Sequence, residues 1–409
     1  MKTLQKIILL SFAAMLLVIL MNMSLYSTHG KNQTHSHLKI PPTITTTTSK
    51  YYQLLNSSDT FLKFDRNLCP ALHGAVALFQ LSSGSDYINR AVWNATQSVR
   101  CYARMRGYKL YQLNIDPKLG LQVNSEANKY VELQANMAEL KSLERKCSHY
   151  AGVLAKRHCI SAELLESYDY VIHLDADSGV VNPNHCFEEY ITPGIDLHFL
   201  IRVHSGEIQA GHYVARKSGF AREFLLDWAN QTCYAKGSDQ GILHQKLADH
   251  FLTSDQNELC AKEKKVHGYF PWIKCIRNYT IALNSNTTTL KPANANKKDP
   301  HNKQVKFFAR AQAFVRDGWS SEFKWSPQDF MLHAMKSRDD VLFSHGLRAA
   351  ECTNTSWIIP YRTKHMVTDV EDMKKVWRTR DRTFYKIYPN FALISRLEEC
   401  WPDCADLII

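Results

Sequence analysis

Several catalytic signatures are missing from this 409-residue chain. It has no Gly-x-Gly-x-x-Gly turn, no P-loop, no His-Glu-x-x-His and no Gly-x-Ser-x-Gly elbow. Those absences weigh against a dinucleotide-dependent oxidoreductase, a P-loop NTPase, a zincin and an α/β-hydrolase. No internal repeat is visible, which argues against a solenoid or a propeller. Cysteine is absent from the first 68 residues, although eleven follow. An oxidising compartment would pair most of these and leave at least one over, because the count is odd. Cys400 and Cys404 in "CWPDC" have no second half-site for zinc, so a disulfide role is expected for them.

Charge is scarce at the start and basic overall. Lys2 and Lys6 precede a run without charge from Ile7 to Met21, which "NMSL" extends. That length suits a helix crossing a bilayer, and the lysines place the N-terminus in the cytosol. The cleavage site near Thr28 and Gly30 is poor, so an uncleaved anchor is expected; cleavage would make the protein secreted. Asn-x-Ser/Thr occurs eight times, at Asn22, Asn32, Asn56, Asn94, Asn230, Asn278, Asn286 and Asn354. Chance gives roughly three. The expected address is the Golgi or endoplasmic reticulum membrane in type II orientation. The net charge of +11 suits anionic partners or a merely well-solvated basic surface. A nucleic-acid surface does not fit a lumenal protein.

The organisation follows: a cytosolic tail at 1–6, an anchor at 7–25 and a Thr/Pro-rich stalk at 26–68. A catalytic domain is expected at 69–340 and a packed C-terminal extension at 341–409. The stalk, with "HSHLKIPPTITTTTSK", cannot bury a core. From Ala75 apolar strands alternate with helical patterns. "AVALFQL", "YKLYQLNI", "YDYVIHL", "IDLHFLI" and "EIQAGHYVAR" read as strands, and "VKFFARAQAFVRDGW" as a later one. Helices are expected at 87–106, near 126–146 and 150–166, in "SGFAREFLLDWANQT" with Ser218 as N-cap, and in "SDQGILHQKLADHF". Residues 276–304 read as an exposed loop, and "KKVWRTRDRTFYKIY" as a solvated helix packing a Trp and two Tyr inward. The fold class is α/β, a mostly parallel sheet with helices on both faces.

The chemistry concentrates in "YVIHLDADSGVVNP". Asp175 and Asp177 stand where an apolar strand stops, the edge at which α/β sheets bind ligands. Spacing alone means little, since about one Asp-x-Asp arises by chance at this aspartate content. Placement is the argument: residues i and i+2 of an extended chain project to one side. Both carboxylates can then share a hard cation, Mn²⁺ or Mg²⁺, whose shell substrate phosphates often complete. The bland alternative is a loop whose carboxylates cap the next turn. A phosphoesterase on the same carboxylates would need further ligands close to Asp175, and the sequence offers none.

"IQAGHYVARKSGFAREFLLDWAN", "GSDQGILHQKL" and "DGWSSEFKWSPQDFMLHAMK" complete an ordered set with the Asp-x-Asp segment. Across roughly 72–340 the chain resembles domain of unknown function 273, a nematode-associated group. More distantly it resembles glycosyltransferase family 34, the galactosyl-, mannosyl- and xylosyltransferases of GT-A fold. The resemblance implies a metal-dependent transferase moving a sugar, with retention, from a nucleotide-diphosphate sugar to a glycan or glycoprotein acceptor. Asp175 and Asp177 would hold the metal with His333. Asp239 and Gln240 would face the reacting carbon of the donor. Gln209 and Gly211 would shape the sugar pocket, and Ser82, Ser83 and Asp86 would rest near the base. Lys336, or Lys156 or Arg157, would meet the leaving diphosphate, although the spacing to Lys336 departs from the family pattern. The alternative is an inactive lumenal or secreted binding protein on the same scaffold.

Overall fold

A computed structural model describes residues 62–63, 74–83, 92–116, 120–123, 137–234, 238–282, 289–290, 304–336, 356–357, 365–387 and 397–402. The expected anchor and stalk, apart from the pair 62–63, and Asp86 lie outside them. Among the described residues no helix is long and apolar enough to cross a membrane.

The strands are β1 (Leu62–Lys63), β2 (Val76–Ser83), β3 (Lys109–Asp116), β4 (Gly120–Val123), β5 (Tyr170–Asp175), β6 (Gly179–Val180), β7 (Leu197–Ile201), β8 (Ile208–Arg216), β9 (Thr289–Leu290), β10 (Val305–Phe308), β11 (Val315–Asp317), β12 (Met331–His333) and β13 (Ser356–Trp357). The helices are α1 (Trp93–Arg106), α2 (Met137–Cys147), α3 (Gly152–Leu164), α4 (Gly219–Tyr234), α5 (Asp239–Phe251), α6 (Ser254–His267), α7 (Tyr269–Ala282), α8 (Val370–Ile387) and α9 (Leu397–Cys400).

The main sheet has the order β4-β3-β2-β5-β8-β7-β10-β9. β3, β2 and β5 run parallel, β8 is antiparallel to both of its neighbours, and β10 is parallel to β7. Five of the eight strands therefore share one direction, and the α/β, mostly parallel expectation holds. β2 shows why the sheet is central. Ala77, Phe79 and Leu81 enter one core while Val76 and Leu78 enter another, as the two-residue period of a strand requires. A strand buried on both faces reads as a continuous apolar run.

α3, α4 and α5 contribute to the first core. The second face is covered by α1 and by a small sheet of order β11-β12-β6, rather than by helices alone. That small sheet corrects one expectation. "VKFFARAQAFVRDGW" is two strands in different sheets, β10 and β11, separated by a turn. Residues 276–282, expected as loop, close α7, and α6 was not anticipated. Ser218 caps α4 by accepting the Ala221 N–H at 3.1 Å. In α8 Trp377 is buried as expected, but Tyr385 is half exposed.

Disulfides Cys147–Cys159 and Cys260–Cys275 tie α2 to α3 and α6 to α7. They suit an oxidising compartment. Among the described residues Cys233 is a free thiol; Cys404 lies outside them.

Candidate metal centre

β5 carries Asp175 to the carboxyl edge of the sheet, and Ala176 and Asp177 turn away from it. The turn is pinned because Asp175 O accepts the N–H of Ser178 at 3.0 Å and the Gln80 amide at 3.2 Å. Gly179 and Val180 then pair with Leu332 and Met331 of β12. The Met335 N–H donates to Asp177 O at 2.7 Å. This short antiparallel pairing brings a segment from far along the chain against the acid pair. His333 Nε2 lies 3.3 Å from Asp177 Oδ1 and 3.6 Å from Asp175 Oδ2. Ligand atoms of all three residues fall within 4.8 Å of one another. Two carboxylates and an imidazole at this spacing could together hold a metal ion.

The surroundings are charged and largely closed. Arg157 of α3 lies between two acids: Nη1 is 2.6 Å from Asp175 Oδ1, and Nη2 donates to Asp239 Oδ2. His158 Nε2 meets the same Asp239 oxygen at 3.1 Å, and its ring stacks on Trp228 at 3.5 Å. Lys336 Nζ is 3.4 Å from Asp177 Oδ2. Asp317, at the end of β11, accepts from His333 Nδ1 at 2.7 Å.

These contacts set the protonation states. Burial alone would raise Asp177, but the His333 ring and then Lys336 outweigh it and hold the carboxyl below its usual range. Burial prevails at Asp175 and raises it, against the pull of Arg157 and His333. Burial presses His333 down, yet the carboxylates of Asp177 and Asp317 lift it to about 10. Burial opposes ionisation of Asp239 too, but Arg157 and His158 bring it to about 2. Without an ion, the imidazolium itself is a positive partner for the paired acids. A cation binding there must displace its Nε2 proton.

Each expected site residue can now be placed. Asp175, Asp177 and His333 converge, with Lys336 beside them. Gly211 of β8 stands against Asp175: a Cβ there would fall 1.8 Å from Oδ2. Glycine is required for space at this position. Gln209 Nε2 is 3.4 Å from His333 Nδ1. Asp239 joins the site through Arg157. The Gln240 amide is engaged with the β8 backbone, accepting from Ala210 N at 3.1 Å and donating to Ile208 O. Ser82 is buried and donates toward Leu113 O and Asn114 Oδ1; Ser83 ends β2 beside it. Of the adjacent pair on α3, Arg157 meets the acids, while half-buried Lys156 stands about 100° round the helix.

Sequence reasoning missed Asp317, His158 and Arg202, whose Nε is 3.8 Å from Asp317 Oδ2. Asp317 carried a signal of the same kind as Asp175: an acid at the end of an apolar strand, in "AFVRDG".

The fold and site define an α/β protein with an acid–imidazole centre at a strand end. A sequence model described as "Protein of unknown function, DUF273" matches residues 99–347, more than half of the chain, and the protein belongs to that family. No curated protein matches it. Among solved structures it is similar to a "glycosyltransferase involved in the glycosylation of the major capsid of PBCV-1". That similarity has 13% identity and a TM-score of 0.32, and covers 64% of this chain and 96% of the other.

Proposed function

We propose that the protein is a divalent-metal-dependent glycosyltransferase of GT-A-like fold, taking a sugar from a nucleotide-diphosphate donor to a glycan or glycoprotein acceptor. The observation that carries this reading is the meeting of His333 with Asp177 at 3.3 Å. The imidazole completes a donor set that the Asp-x-Asp pair alone leaves short. Asp175, Asp177 and His333 would hold Mn²⁺ or Mg²⁺. Such an ion supplies Lewis-acid neutralisation of a departing diphosphate. Lys336, the most exposed cation of the centre, adds charge on the same side.

Asp239 is poorly suited to act as a base. Its two hydrogen-bonded cationic or polar neighbours bring it to about 2, so it takes a proton weakly at neutral pH. A permanently ionised carboxylate can instead stabilise oxocarbenium-like charge. This supports transfer with retention. Gly211 keeps the backbone of β8 close to Asp175, and Gln209 faces the His333 side, where hydroxyls of a donor sugar would be read. Ser82 and Ser83 at the end of β2 lie at the same edge, where a base would rest. The two disulfides and the predicted anchor support a type II protein of the Golgi or endoplasmic reticulum lumen.

The test is donor binding and turnover by the lumenal domain across a panel of nucleotide sugars, with Mn²⁺ or with chelator. Asp177→Ala is expected to abolish metal-dependent binding of nucleoside diphosphate. Equal diphosphate binding with and without metal would end the proposal. Engagement of Gln240 by the β8 backbone favours one second reading, a protein that grips a nucleotide sugar but does not turn it over. Metal-dependent binding without released or transferred sugar would select it.

A further inference from the structure

His333 faces two groups that make opposite demands on the same nitrogen. Asp317 Oδ1 lies 2.7 Å from Nδ1 and can only accept while ionised. Gln209 Nε2 lies 3.4 Å from that Nδ1 and can only donate. A neutral imidazole satisfies one of them. With a proton on Nδ1 it donates to Asp317 and turns the Nε2 lone pair toward Asp175 and Asp177. With the proton on Nε2 it accepts from Gln209 and offers the acids a hydrogen, so it cannot ligate a metal. The shorter, charge-assisted contact decides in favour of Asp317.

The backbone fixes this choice. Asp317 is 3% exposed, and the parallel register of β11 on β12 sets it directly beside His333. Arg202 stands behind it as an ion-pair partner, Nε 3.8 Å from Oδ2, and that Nε makes no hydrogen bond among the described residues. Arg202 favours the ionised form of Asp317 by its charge.

We propose that Asp317 is a positioning residue that holds the His333 tautomer able to bind metal, against the competing amide of Gln209, with Arg202 as the ion-pair partner behind Asp317. This rests on the metal-binding reading above. A carboxylate behind a ligating imidazole commonly contributes 10–100-fold in metal affinity.

The experiment is calorimetric titration of the full-length protein with MnCl₂ alone. Asp317→Asn is expected to weaken Mn²⁺ binding about 10–100-fold, and to add almost nothing to the loss already caused by His333→Ala. That non-additivity marks action through the ring. Asp317→Ala and Arg202→Met supply independent arms should the first variant fold poorly, and Arg202→Met is expected to give the smaller loss. Adding Gln209→Leu to Asp317→Asn is expected to recover part of the affinity. Wild-type affinity in Asp317→Asn, or an equal further loss on the His333→Ala background, would overturn the assignment of Asp317 alone. Failure of the unaltered protein to bind Mn²⁺ would overturn the metal reading as well.

Discussion

Gly211→Ala tests the centre without touching a charged group. The added Cβ would fall 1.8 Å from Asp175 Oδ2 and 2.5 Å from its Cγ. Ordinary contact needs the carboxylate to retreat by about 1.5–2 Å. Its side chain is short, and Arg157 holds Oδ1 at 2.6 Å, so the retreat breaks that ion pair and removes a ligand atom together. A hydrogen bond to a buried charge contributes about 1.5–3 kcal/mol. Arg157 keeps Asp239, so the loss stays near the lower end. At about 2 °C per kcal/mol for a domain of this size, the melting temperature should fall by roughly 3–4 °C. Mn²⁺ affinity should fall at least about 10-fold. Differential scanning fluorimetry and calorimetric titration read the two effects. Gly219→Ala is the control, because a Cβ there meets nothing within 4 Å. A Gly211→Ala protein that melts like the control and binds Mn²⁺ like the parent would show that the Asp175 carboxylate does not need the space Gly211 leaves.

Arg157→Met should destabilise strongly, by about 3–5 kcal/mol, because it strands two acids at once; a melting temperature unchanged on fluorimetry would contradict the geometry. Acid should weaken the fold through two buried histidines. His198 Nε2 accepts the Thr192 N–H, and His244 Nε2 accepts the Ile208 N–H, each at 3.0 Å. Both rings must therefore stay neutral at that nitrogen, and burial depresses them to about 3 and about 4. Their contribution is present above pH ~6.5, the unfolded value, and is lost as pH falls toward the folded ones; each should cost about 2 kcal/mol by pH 5. Urea midpoints from pH 7 to pH 5 measure this, and a flat profile would refute it. Cys260→Ser with Cys275→Ser opens a loop of 15 residues and should cost about 3 kcal/mol by the chain-entropy account, read as a lower urea midpoint.

Six of the eight strands of the main sheet were legible from their apolar runs, whereas the edge strands β4 and β9 were not. Val171, Ile172 and Leu174 form an apolar run, and β2 is buried on both faces for the same reason. α4 was legible from Ser218 and its apolar stripe. The small sheet was not legible. β6 is two residues long and β12 three, too short for any period to register. α6 was hidden for another reason. In "SDQNELCAKEKKVH" Cys260 is the buried position, so no apolar stripe marks a core face, and the Thr253–Gln256 capping box was the available signal. Tyr385 misled because its neighbour Phe384, rather than the tyrosine, stacks on Trp319 and His204.

The same distinction explains why only part of the site could be read in advance. Asp175 and Asp177 depend on one strand end, so local pattern places both. His333 and Asp317 depend on β6 pairing with β12 and β12 with β11, a long-range contact that no window of sequence contains. Arg157 depends on which face of α3 meets β5. Together these segments set five carboxylates, Asp175, Asp177, Asp239, Asp317 and, on the far side of Arg202, Glu207, near Arg157, Arg202, Lys336 and the His333 ring. Even with the ring cationic the acids exceed the cations by one. Without the Nε2 proton they exceed them by two. A divalent ion would match that excess, which is the charge argument for placing one between Asp175 and Asp177.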